Sequence, residues 1–157
     1  MDDRKYAKYI VTEPFVPPAP PAEFMKRLEE QKKAGNYTEG FALFGLNDKV
    51  LPGAFYLDCH WIIQTHGNQG IQTEIAHTHD FDEVLGFVSG DIKNPRKFDG
   101  EIEFWLEDEK YIIDYSCLIF VPRGMKHLPL IFRRIDSPVF FFTAGNSTNY
   151  SRASGNE

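Results

Sequence analysis

The 157-residue sequence has little cysteine: only Cys59 and Cys117. Two thiols are too few for a disulfide framework or a thiolate zinc cluster. They read as free thiols in a reducing cytoplasm. No run approaches about 18 consecutive apolar residues, so no membrane span is expected. The first 14 residues lack the apolar centre of a secretory signal, and none is expected. Basic charge is also in short supply, with 17 Lys and Arg against 23 Asp and Glu and a net charge of −6. The densest basic cluster, Lys26, Arg27, Lys32 and Lys33, is interrupted by Glu29 and Glu30 and reads as a solvated helix face. That balance argues against a nucleic-acid partner. Hydrophobic residues at 42% and charged residues at 25% are an ordinary globular mix and exclude wholesale disorder. A chain of this length buries roughly 70% of its unfolded surface, enough for one core without staples.

Residues 14–21 include five prolines. Each fixes φ and removes a donor, so the segment reads as an extended arm. Ala22 to Ala34 is rich in helix formers and is stopped by Gly35. Phe24, Met25 and Leu28 give this helix a short apolar stripe for docking. From Phe41 onward, short runs of Phe, Ile, Val, Tyr and Trp alternate with Gly, Pro, Asn and Asp, the pattern of many short strands. Strands are predicted near 54–64, 71–79, 83–90, 101–107, 110–114, 117–121, 127–134 and 138–144. In 101–107, Ile102, Phe104 and Leu106 share one face, with Glu101, Glu103, Trp105 and Glu107 on the other, which predicts a half-buried antiparallel strand. Eight short strands point to a sandwich or barrel.

Five histidines are present: His60, His66, His77, His79 and His127. On a strand, residues i and i+2 point to one face, so His77 and His79 present two imidazoles side by side. Asp80-Phe81-Asp82 can turn the chain, and Glu83 then opens the returning strand with a carboxylate in reach. The pattern His-x-His-x3-Glu-x6-Gly (His77, His79, Glu83, Gly90) has a chance expectation of about 0.001 in a chain of this composition. Pro122 and Gly124 make a second turn, and His127 follows it. Three imidazoles and a carboxylate suit one divalent first-row metal ion, and four ligands on an octahedral ion leave two positions open. Iron or manganese is favoured by the mixed donors; nickel, zinc or copper are alternatives.

These segments resemble the two motifs of the cupin superfamily: Gly70, His77, His79, Glu83 and Gly90 in the first, and Pro122, Gly124 and His127 in the second. Ser116 stands where the second motif has glycine, and Ile131 where it has asparagine. The resemblance covers roughly 53–145. It implies an all-β fold, a single-domain double-stranded β-helix or jelly-roll barrel, with the metal inside one mouth. Residues 1–52 are then an arm and helix packing on the barrel, and 146–157 a flexible polar tail.

The remaining candidates carry less. His60 reads as a structural residue on a strand, and His66 as an exposed loop residue. Arg123 and Lys126 flank His127 as surface charges that could steer an anion. Asp80 and Asp82 serve the turn. Leu85, Phe104, Leu106 and Ile131 are expected to face inward, and Phe140-Phe141-Phe142 to join the core. The resulting expectation is a metal-dependent enzyme acting on a small organic molecule, an oxidoreductase of dioxygenase type, with Glu83 also able to accept a proton. The alternatives are an isomerase, decarboxylase or lyase acting on a small acid or sugar acid, and a non-catalytic small-ligand-binding cupin. The arm and Trp105 suggest a homodimer.

Overall fold

The structure, a computed structural model, describes residues 3–153. It has one α-helix, α1 (Ala22–Lys33), and the strands β1 (Tyr37–Leu46), β2 (Tyr56–His66), β3 (Ile71–Glu74), β4 (Glu83–Ser89), β5 (Lys97–Leu106), β6 (Glu109–Tyr115), β7 (Cys117–Val121), β8 (His127–Ile135) and β9 (Val139–Gly145). They form two antiparallel sheets, ordered β1-β2-β9-β4-β7 and β3-β8-β5-β6. Phe87, Phe104, Phe132, Ile102, Ile135 and Val139 are fully buried between them. This is the expected all-β jelly-roll architecture. Among the described residues no helix is long and apolar enough to cross a membrane.

Alternation explains β5 only in part. Ile102 and Phe104 are fully buried and Leu106 packs against the core, as their spacing predicts. Glu103, on the outward face, is nevertheless buried. Arg133 clamps its carboxylate through Nη2 at 2.6 Å and Nε at 2.8 Å. The half-buried Trp105 donates its indole N–H to the same group at 2.7 Å. A buried charge needs such partners, and Trp105 is thus engaged within its own sheet.

Ile131 does not face inward as expected; Leu130 and Phe132 do. Phe104 pairs with Leu130 but Leu106 with His127, so three residues of β8 span two of β5. Leu128, at φ 71, lies within that irregularity. The extra residue reverses the parity of the strand beyond His127. Of Phe140, Phe141 and Phe142 in β9, Phe141 packs against the core, stacked on Phe87 with centroids 5.0 Å apart. Phe142 lies over Gly86 on the other side, where a Cβ would come within 2.1 Å of its ring.

Strand β1 lies in the segment read as arm and helix. Its two glycines break the apolar pattern, and both are required by close approach. A Cβ on Gly40 would sit 2.3 Å from the Trp61 carbonyl oxygen on β2. One on Gly45 would meet Phe15 of the proline-rich arm, whose Glu13 carbonyl accepts the Gly45 N–H at 3.3 Å. Of the apolar stripe of helix α1, Phe24 and Leu28 are half-buried but Met25 is half exposed. Gln31 exchanges two hydrogen bonds with the Gln72 backbone, at 2.8 and 2.9 Å, and Arg27 donates to Thr73 O at 2.9 Å. The helix thereby covers the outer edge of β3.

Replacing Gly40 with alanine should cost about 1–3 kcal/mol, because the added methyl must displace backbone rather than a side chain. Urea unfolding of Gly40→Ala against the parent checks this; an unchanged midpoint would contradict the close pairing of β1 with β2.

Candidate metal centre

Four strand ends meet at one mouth of the sandwich. His77 and His79 follow β3, Glu83 opens β4, His127 opens β8, and the chain leaving β9 passes over them. The predicted strand 71–79 ends early, at Glu74. The i,i+2 geometry survives because His77 forms an isolated bridge with His127, each N–H bonded to the other's carbonyl at 3.1 Å. His79 O accepts the Gly124 N–H at 2.9 Å. Gly124 has φ +82, as the turn from Pro122 demands, and Met125 N–H closes that turn on Pro122 O at 3.0 Å. The turn thus places His127 opposite the first motif.

His77, His79 and His127 are buried and form a group able to hold a metal ion. Each Nδ1 faces a backbone carbonyl: His77 that of Ile75 at 2.7 Å, His79 that of Ser151 at 2.6 Å, and His127 that of Met125 at 3.1 Å. A carbonyl only accepts, so every Nδ1 carries the proton and every Nε2 presents a lone pair. The three lone pairs face inward. His77 Nε2 and His79 Nε2 are 3.1 Å apart, and Glu83 Oε2 lies 3.0 Å from His127 Nε2 and 3.3 Å from His79 Nε2. These are acceptor–acceptor contacts, and Glu83 Oε2 and His127 Nε2 are buried without a hydrogen-bond partner. Orphaned acceptors crowded in a dry site repel one another unless a cation joins them. Their spacing is also apt: donors about 2.1 Å from one ion and at right angles to each other lie about 3.0 Å apart. The residues fit a metal ion.

The other sequence candidates fall outside this group. His60 is half-buried on β2 against Phe141, with centroids 6.0 Å apart. His66 is not in a loop but ends β2, stacked on Tyr37 at 4.5 Å with Nε2 3.1 Å from Glu39. Arg123 and Lys126 are exposed on the turn. Asp80 is exposed, whereas Asp82 binds Arg123 N–H at 2.8 Å and the Asn146 amide at 3.1 Å. The Ser116 hydroxyl accepts the Ser89 N–H at 2.8 Å, a role glycine could not fill.

Sequence reasoning missed the segment after β9. Residues 146–153, read as a flexible tail, are hydrogen-bonded across the site; residues 154–157 lie outside the described residues. Besides Ser151, Tyr150 places its hydroxyl 3.1 Å from His77 Nε2. A lone aromatic in a polar tail was the only visible sign. Phe81, stacked on His79 at 4.6 Å, was read only as part of a turn.

The sequence matches no protein-family model and no curated protein. Solved structures do match the fold. A sugar phosphate isomerase of the cupin superfamily from Silicibacter pomeroyi aligns with a TM-score of 0.51 at 12% identity, over 88% of this chain and 72% of that one. The fold is that of the cupins. Oxalate oxidase in complex with glycolate aligns at TM-score 0.48 and 11% identity over 74% of this chain, which spans only 54% of that protein. KdgF from Halomonas sp. aligns at 0.43 and 16%, over 73% of this chain and 81% of its own.

Within this barrel, burial sets the charge state of the site. Burial, with His127 facing it, pushes the His77 imidazole down to about 3. Burial pushes Glu83 up, but once Nε2 of His127 and His79 carries a proton, both rings donate to the carboxylate and hold it down to about 2. The ring is therefore neutral and the carboxylate charged at neutral pH. Burial also raises Tyr150, which stays a protonated donor.

These shifts fix the acid response of the metal-free protein. Between about 6.5 and 3 an unfolded His77 takes up a proton that the folded ring refuses. Between the ordinary 4.5 of Glu83 and its folded value of about 2, the unfolded carboxyl again protonates first. Both effects lower stability as pH drops from about 6.5 toward 3; the Asp58 carboxyl, raised to about 6 by burial, works against them between about 6 and its ordinary 3.8. Thermal unfolding of metal-free protein from pH 7 to 3.5 should trace that fall, and His77→Gln should flatten its upper part. Identical profiles in the parent and His77→Gln would contradict the assignment.

Proposed function

We propose that the chain is a metal-dependent enzyme acting on a small organic molecule, an oxidoreductase of dioxygenase type. The observation that supports it is the convergence of three imidazole lone pairs on the buried, unpartnered oxygen of Glu83. His77, His79, Glu83 and His127 would hold one divalent ion, with iron or manganese suited to three nitrogens and one oxygen, and nickel, zinc or copper acceptable to the same donors. Such an ion supplies Lewis acidity or an electron relay at the positions these side chains leave open.

The chain's own residues do the rest. The carbonyls of Ile75, Met125 and Ser151 hold the rings in one tautomer, and ligand orientation of this kind is worth about 10–100-fold in metal affinity. Leu128 and Leu130, beside His127 on β8, lead into the apolar core and keep water from that side. Glu83, ionised, is the member of the set suited to accept a proton from a bound substrate. A cytoplasmic setting accords with the free thiols of Cys59 and Cys117.

Metal analysis tests the ligand set: protein purified without affinity metal should carry about one ion per chain, and His79→Ala should lose it. Unchanged occupancy in the variant would refute the assignment. Oxygen uptake with small acids and phenols tests the reaction. Turnover without oxygen consumption would turn the reading to an isomerase, decarboxylase or lyase.

The same reading includes a homodimer. Ile10 and Val16 of the arm are 69% and 72% exposed, and Leu118 and Phe120 on edge strand β7 are 69% and 60% exposed. Apolar surface of this extent seeks a partner. Sedimentation at micromolar concentration should give twice the chain mass; a single-chain species would refute it.

A further inference from the structure

Residues 146–153 are fastened on both sides of the metal centre. On one side Asn146 bonds Asp82, Tyr56 N–H donates to Ser147 O at 2.7 Å, and Asp48 N–H to Thr148 O at 2.9 Å. On the other, Ser151 O accepts from His79 Nδ1 at 2.6 Å, Ala153 N–H donates to Thr78 O at 3.0 Å, and Arg152 pairs with Glu74. Tyr150 is held between these anchors. Its ring is 5.0 Å from that of His79 and 5.3 Å from that of Tyr56, centroid to centroid. Its hydroxyl lies 3.1 Å from His77 Nε2.

His77 Nδ1 already donates to Ile75 O, so Nε2 is an acceptor and the Tyr150 O–H donates to it. That lone pair is also the one His77 would give to an ion. The two uses exclude each other. With an ion on Nε2, the phenol proton loses its acceptor while its anchors keep the oxygen beside the centre. Tyr150 is 41% exposed, but its hydroxyl is turned to His77, and a donor left there without a protein acceptor favours a guest that supplies one.

We propose that Tyr150 is a ligand-binding residue of the centre: its hydroxyl donates a hydrogen bond to an acceptor atom of the small anion or oxygen-donor molecule that takes the open position beside His77. The inference rests on the reading that the three histidines and Glu83 hold an ion. It assigns the guest an acceptor atom within one hydrogen-bond length of the ion, as a carboxylate has. The phenol keeps its proton throughout, and no bond is made or broken.

The test uses the full chain loaded with cobalt(II), azide as the probe anion, and visible absorption as the readout. Tyr150→Phe should bind cobalt at least as tightly as the parent, having no competing donor to displace, but bind azide about 10-fold or more weakly, the loss of one hydrogen bond to a charged group. Equal azide affinity in the two proteins would overturn the proposal. So would a 10-fold loss of cobalt affinity in Tyr150→Phe, since the tyrosine would then hold the ion or the fold. A parent chain that takes up no cobalt would instead refute the ion site itself, and the role of Tyr150 with it.

Discussion

Three hydrogen bonds from imidazole Nδ1–H to backbone carbonyls govern this molecule's chemistry. Without them each ring could flip or change tautomer, and the inward atoms would be an arbitrary mixture of donors and acceptors. With them, three buried lone pairs and one carboxylate oxygen are forced together. The barrel around them can be seen as the device that keeps this arrangement dry. Phe81 lies flat on His79, and it can do so because Gly145 has no Cβ, which would otherwise stand 2.6 Å from its ring.

The fold meets this demand by gathering strand ends. His77 and His127 belong to the smaller sheet's end and are bridged through their own backbones, whereas Glu83 begins a strand of the larger sheet. The carboxylate therefore reaches across the gap between the sheets, where the apolar core gives way to polar groups. Glu83 sits between Gly145 and Val121 in the register of its sheet, so its position is set by two neighbouring strands.

The four residues of the candidate centre were legible because side-chain chemistry and spacing were both on display, and the i,i+2 rule held even where regular strand did not. Strand β1 was not legible: Gly40 and Gly45 dilute its pattern, and the close contacts that require them appear only in three dimensions. The inward set on β8 was misread at Ile131 because one extra residue against β5 changes the parity, and nothing local announces it. Glu103 looked like solvent-facing charge because its partner Arg133 is 30 residues away. Ser151 was hidden most completely, since it acts through a carbonyl that every residue possesses.

That carbonyl has a kinetic consequence. His77 and His127 are each oriented by a residue two positions earlier in the chain, so their settings persist as long as their own turns do. His79 is oriented from 72 residues away. Segments that follow a last strand open locally at much lower free energy than the strands of a core. Each such opening frees one imidazole to rotate while the other two stay in place. The rate at which an ion enters or leaves would then report the breathing of 146–153 rather than the stability of the barrel.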